Sequence, residues 1–91
     1  MIRIINVGAI ELSVVEQFEL TDMLQELERQ GLVIEPHLRL DVNGDVNLMS
    51  LRDPQVGEIT RETLLTFNCN SVDDIHDQLS YWANEQAKEI A

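Results

Sequence analysis

Val72, Ile75, His76, Leu79, Trp82, Ala83, Gln86, Ala87 and Ile90 recur at three- and four-residue steps through the stretch 71–91. That spacing draws one apolar stripe along a helix. Asp73, Asp74, Asp77, Tyr81, Asn84, Glu85 and Lys88 fall on the opposite side. Ser71 stands where an N-cap belongs, and Asp74 three residues on completes a capping box with Asp in place of Glu. A stripe of this length must be covered, so the preceding seventy residues have to supply a complementary apolar surface.

They supply it with strand-like material. Ile2, Ile4, Ile10 and Leu12 flank Asn6-Val7-Gly8, which suggests a hairpin closed by a left-handed Gly8. Its register would set Ile4 against Ile10, Arg3 against Glu11 and Ile2 against Leu12. Alternation then continues through Val14, Phe18 and Leu20, with Glu16 out of pattern. Ser13 and Glu16 offer a competing capping box. One long helix from Ser13 would, however, place Val14 and Phe18 nearly opposite Met23, Leu24 and Leu27. The expectation is therefore a strand to about Leu20, then a short helix from Asp22 to Gln30. Thr21 would be its N-cap, and it would end at Gly31.

A second hairpin spans Leu32 to Leu51. Asp41-Val42-Asn43-Gly44-Asp45 has Asp at the first turn position and Gly where a positive φ is required. Its three-residue loop pairs Leu40 with Val46 and Leu38 with Leu48. Pro36 lacks a donor, so the strand begins after it or lies at an edge. Arg52-Asp53-Pro54-Gln55 is a turn. From Val56 to Phe67 the threonines and Ile59, Leu65 and Phe67 favour a strand, although Thr60 could cap a short helix. The expected fold is one α+β domain over residues 1–91. It has an antiparallel sheet of four to five strands (two hairpins plus one strand), packed by a short helix and a long C-terminal helix.

A chain of 91 residues buries ~60–65 % of its unfolded surface, enough for one modest core. Seventeen Asp and Glu against six Lys and Arg give a net charge of −11. Such a surface repels nucleic acid and acidic membranes and attracts basic partners. No run approaches the ~20 apolar residues that cross a bilayer. No signal peptide is evident at Met1 to Ile5, so a cytoplasmic location is expected.

Catalytic, cofactor-binding and metal residues are expected to be absent. Asp41, Asn43 and Asp45 start like a calcium loop, but the sixth position is Val46 and the twelfth Arg52, where such a loop needs Gly and Glu. His37 and His76 have no Cys partners and belong to different elements, which argues against zinc; His76 lies at the edge of the stripe, near Asp73 and Asp77. Cys69 is the single cysteine and has no basic neighbour in sequence to activate it. Ser13, Ser50, Ser71 and Ser80 sit in no nucleophile motif, and the four glycines form no phosphate loop.

The acidic residues are the remaining signal. Glu11, Glu16, Glu19, Asp22, Glu26 and Glu28 run without a basic residue until Arg29. Asp22 and Glu26, Asp73 and Asp77, and Glu85 and Glu89 are each one helical turn apart. Four residues of helix rise ~6 Å, comparable to the spacing of successive backbone phosphates. Such carboxylates can occupy a nucleic-acid site on a basic protein. Tyr81, with Asp77 and Glu85 one turn either side, has the form of an aromatic anchor for an Arg- or Lys-rich surface; it could equally lie over the helix edge and cover core. The expected partner-binding residues are Asp73, Asp74, Asp77, Tyr81, Glu85, Glu11, Glu19, Asp22 and Glu26.

Phe67-Asn68-Cys69-Asn70-Ser71-Val72-Asp73-Asp74-Ile75, followed by Leu79 and Trp82, resembles the tail of several small phage-encoded anti-CRISPR proteins. In these a strand runs through a capped turn into an acidic, Trp-bearing helix. The resemblance implies a non-enzymatic inhibitor, working in the host cytoplasm. It would bind a CRISPR effector or another DNA-binding complex and block nucleic-acid access, without itself binding nucleic acid or membrane. The stretch Leu20 to Leu51 is similar to small docking domains at the ends of modular biosynthetic enzymes, which implies instead an adaptor for protein–protein contact.

Overall fold

The computed structural model describes residues 2–8, 10–51 and 61–90. The elements are β1 (Arg3–Asn6), α1 (Val14–Arg29), β2 (His37–Leu40), β3 (Asp45–Leu51), β4 (Arg61–Asn68) and α2 (Val72–Ile90). They form an α+β fold with one sheet in the order β1-β2-β3-β4. The sheet is mixed rather than purely antiparallel: β1 runs parallel to β2, and the other two pairs are antiparallel.

The second hairpin has the expected register, with Leu38 opposite Leu48 and Leu40 opposite Val46. Gly44 has φ 85°, its N–H donates to the Asp41 carbonyl at 3.1 Å, and Asp41 N–H reaches the Asp45 carbonyl at 2.8 Å. β2 begins directly after Pro36, as a residue without a donor requires. Residues 61–67 are strand, as expected. The expected turn at Arg52 to Gln55 and the segment Val56 to Thr60 lie outside the described residues.

The first hairpin does not form. Ile4 pairs with Leu38, not Ile10, and Gly8 does not adopt the left-handed conformation that the hairpin turn needs. The Asn6 side chain instead accepts from Gly8 N–H at 3.1 Å and donates to the Ile10 carbonyl at 2.8 Å, which turns the chain out of the strand. Gly8 is fixed by contact rather than by φ: a Cβ there would lie 2.3 Å from the Asp41 carbonyl oxygen. Ile2, Ile4, Ile10 and Leu12 all pack on the core. Their apolar pattern therefore suits core contact through a strand and a loop as well as through a hairpin.

The boundary between strand and helix also moves. α1 starts at Val14, capped by the competing box: Glu16 N–H donates to Ser13 Oγ at 3.1 Å, and Ser13 N–H to Glu16 Oε1 at 3.0 Å. Thr21 is inside the helix, its hydroxyl donating to the Gln17 carbonyl. The projection that separated Val14 and Phe18 from Leu24 and Leu27 holds, but the helix accommodates it by leaving Val14 and Phe18 in solvent. The C-terminus ends as expected at Gly31 (φ 77°). Gly31 N–H bonds the Glu28 carbonyl and Leu32 N–H the Leu27 carbonyl, a Schellman closure.

β1, β2 and β4 share one direction, and each helix returns from the end of a strand. α1 and α2 therefore start at the same end of the sheet and run side by side. Leu20, Leu24 and Leu27 of α1 meet Leu38, Leu40, Val46 and Leu48 of the sheet and Val72, Ile75 and Leu79 of α2 in one core. Each fully buried Leu or Ile contributes about 1.5–3 kcal/mol relative to exposure. Trp82 and Ala83 flank that core half-buried.

Candidate protein-binding face

Five carboxylates and one cation lie on each helix, so the helical layer carries a net −8. The four strands together carry Arg3, Arg39 and Arg61 against Asp45 and Glu62, a net of +1. The connecting segments hold the remaining −4, from Glu11, Glu35, Asp41, Asp53 and Glu58 against Arg52, so the helices carry most of the acidity and the sheet none of it.

Each helix carries a row of polar residues at three- and four-residue steps, and the α2 residues across the groove from Asp22 and Glu26 are Ser80 and Asn84. On α1 the row is Glu19, Asp22 and Glu26; on α2, Asp73 and Asp77 continue into Ser80 and Asn84. Glu19 Oε2 lies 3.8 Å from His76 Nε2 at the N-terminal end of the helix pair, beyond hydrogen-bond distance, and that nitrogen is buried with no hydrogen-bond partner among the described residues. His76 therefore meets a carboxylate of the neighbouring helix in addition to its neighbours in sequence. Glu26 is held by Arg29 at 3.0 Å. Asp22, Asp73 and Asp77 have no hydrogen-bond or ion-pair partner among the described residues.

The other expected site residues separate by role. Asp74 caps α2: its N–H donates to Ser71 Oγ at 3.3 Å, and its carboxylate accepts from Asn70 N–H at 3.5 Å. Glu85 pairs with Lys88 at 3.6 Å. Glu11 lies apart, lining a cavity of about 570 Å³ with Asn43, Cys69 and Ser71 at the start of the two helices. Tyr81 is 67 % exposed, so it does not cover core.

Sequence reasoning missed an apolar cluster. Val14, Val15 and Phe18 are 69 %, 64 % and 65 % exposed on the first turns of α1, and Asp22 follows Phe18 by one turn. Adjacent exposed apolar side chains of this size mark a contact surface more often than a scatter of single ones does. The signal lies in the helical projection that sets Val14 and Phe18 against Leu24, a pattern that fits a strand as readily as a helix with an exposed apolar side.

Cys69 is 4 % exposed. Burial pushes its thiol pKa up, the Asp74 charge adds to this, and the hydrogen bond from the Ser71 backbone opposes it. The group is a proton-retaining core thiol rather than a nucleophile. The turn carboxylates are engaged in protein contacts: Asp41 with Arg39 at 3.2 Å, Asp45 with the Asn68 side chain at 3.2 Å. Among the described residues no cluster of His, Cys, Asp and Glu could hold a metal ion, and no helix is long and apolar enough to cross a membrane.

Comparison with protein-family models, with curated proteins and with solved structures finds no match for this chain.

Proposed function

We propose that the protein is a non-enzymatic acidic binding module that inhibits a nucleic-acid-handling complex. Its two-helix face occupies a basic surface where nucleic acid would otherwise bind, by mimicry of the phosphate backbone or by steric block. The observation that carries this reading is the segregation of charge. A helical layer of net −8 presents Asp22, Asp73 and Asp77, which have no side-chain partner among the described residues, beside exposed Phe18 and Tyr81. Carboxylates at one-turn spacing match a basic groove, and the two aromatics supply anchors of the kind that dominate interface energetics. The resemblance of residues 67–82 to anti-CRISPR tails makes a CRISPR effector, in the cytoplasm of a bacterial host, the first target to try. The test is binding to a panel of such effectors and other DNA-binding complexes, with and without competing nucleic acid. Binding that nucleic acid and salt both weaken supports the reading; no binding across the panel, or binding indifferent to both, overturns it.

The exposed Val14, Val15 and Phe18 favour a second reading, a docking or adaptor domain that holds its partner through apolar contact. That partner would have no nucleic-acid function, and the complex would persist as salt is raised. Phe18→Ala would abolish it, whereas Asp77→Lys with Glu85→Lys would leave it intact.

A further inference from the structure

α1 and α2 leave a groove between them of about 470 Å³, roughly three times the ~150 Å³ void that accepts a benzene molecule. Buried Leu27 and Leu79 and half-buried Met23 and Ala83 form its apolar floor. Asp22 and Glu26, followed by Arg29 and Gln30, rim one side, and Ser80 and Asn84 the other. We propose that this groove receives a basic amphipathic helix of the partner, about two turns long, and so names the element that the acidic face recognises. The proposal rests on the acidic-face reading.

Three observations select this occupant. The walls are helices with no free backbone edge, so a strand has nothing to pair with. The rim residues come in pairs one turn apart, Asp22 with Glu26 and Ser80 with Asn84, which suits the i±4 ridges of a third helix. The distance from Asp22 to Gln30 along α1 is ~12 Å, two helical turns. Charge then sets the chemistry. Among the described residues the Asp22 side chain has no partner, Glu19 stands beyond it, and Glu26 is held by the exposed Arg29 of its own helix and the Gln30 side chain at 3.2 Å. A Lys or Arg of the incoming helix meets Asp22 directly and exchanges with Arg29 at Glu26, while Leu-type side chains cover the floor. A helix from a second copy of this chain would bring carboxylates against carboxylates.

The experiment uses the full chain with labelled methyl groups and a synthetic helical peptide. The peptide has Leu at i, i+3, i+4 and i+7 and Lys or Arg elsewhere; a scrambled peptide of the same composition is the comparison. The patterned peptide should shift the methyl signals of Met23, Leu27, Leu79 and Ala83 and bind at least tenfold tighter than the scrambled one. Ala83→Trp, which fills the groove, should cost at least tenfold. Ser80→Arg, on the exposed rim, should weaken binding severalfold without touching the core, and Val42→Ser at the far turn should change nothing. Equal affinity for both peptides, with shifts confined to the surroundings of Phe18 and Tyr81, overturns the groove and leaves the acidic face standing. Failure of both peptides to bind at low salt overturns both. Concentration-dependent self-association that buries the same methyl groups would assign the groove to a second copy and also overturn the proposal.

Discussion

Phe18 is exposed because its neighbours in projection are, not because the chain failed to bury it. Leu20 and Leu24 occupy the core side of the same turns, and a helix cannot bury both sides against one sheet. Phe18→Ser should therefore change stability by no more than about 0.5 kcal/mol and weaken target binding tenfold or more; chemical denaturation and titration calorimetry measure the two. Leu24→Ala, in contrast, removes a fully buried side chain and should cost about 2–5 kcal/mol. Cys69 gives a pH dependence. Its folded pKa is raised, so above the ordinary thiol range the unfolded chain gives up a proton that the folded chain keeps. Stability is fully present below the unfolded pKa and falls as pH rises towards the folded one, by at most about 1.4 kcal/mol per pH unit. Cys69→Ala should flatten that alkaline fall in pH-dependent denaturation, and the native thiol should react with disulfide reagents far more slowly than the denatured one.

At the level of elements, the difference between local and distant information decides what the sequence shows. The last helix, its cap at Ser71 and the Leu38–Leu48 register depend on residues within a few positions of one another, and each was legible. So was the helix stop at Gly31. The partner of β1 was not. Its parallel pairing with β2 joins Ile4 to Leu38 across a whole intervening helix, and no turn chemistry near Gly8 announces that. The start of α1 differs from the sequence expectation for another reason: two local signals conflict. The Ser13 box favours the helix, and the projection of Val14 and Phe18 opposes it only if those apolar residues are buried, which they are not. Ser13→Ala should accordingly destabilise the protein by about 1 kcal/mol through loss of the cap, and amide shifts of residues 14–20 should be helical. Extended shifts there, or a larger cost for Thr21→Ala, would contradict this boundary. Gly8→Ala should cost more than a surface substitution, because the Asp41 carbonyl occupies the space of the new Cβ.

At the scale of the molecule, charge and apolar burial are divided between the two layers. The sheet and the inner faces of the helices make the core, while the outer faces of the helices collect the excess carboxylates. Of the expected site residues, Glu19, Asp22, Glu26, Asp73, Asp77 and Tyr81 share the helical layer as exposed groups; Asp74 is engaged in a cap and Glu11 faces another cavity. Composition showed the excess of acid, but only the parallel course of the two helices brings one polar row beside the other, and that course follows from the β1–β2 pairing. Raising salt from low to physiological strength should therefore weaken target binding, since exposed charges are screened over about a Debye length, while the stability of the protein itself should hold or rise as its self-repulsion is screened. The most direct measurement is the affinity for a CRISPR effector or other nucleic-acid-handling complex that the protein binds, for the wild type and for Asp22→Lys with Asp77→Lys, each with and without competing nucleic acid. The account predicts that nucleic acid displaces the wild type and that the double variant stays folded but loses binding a hundredfold or more; unchanged affinity in the folded variant, or a complex that nucleic acid leaves intact, would contradict it.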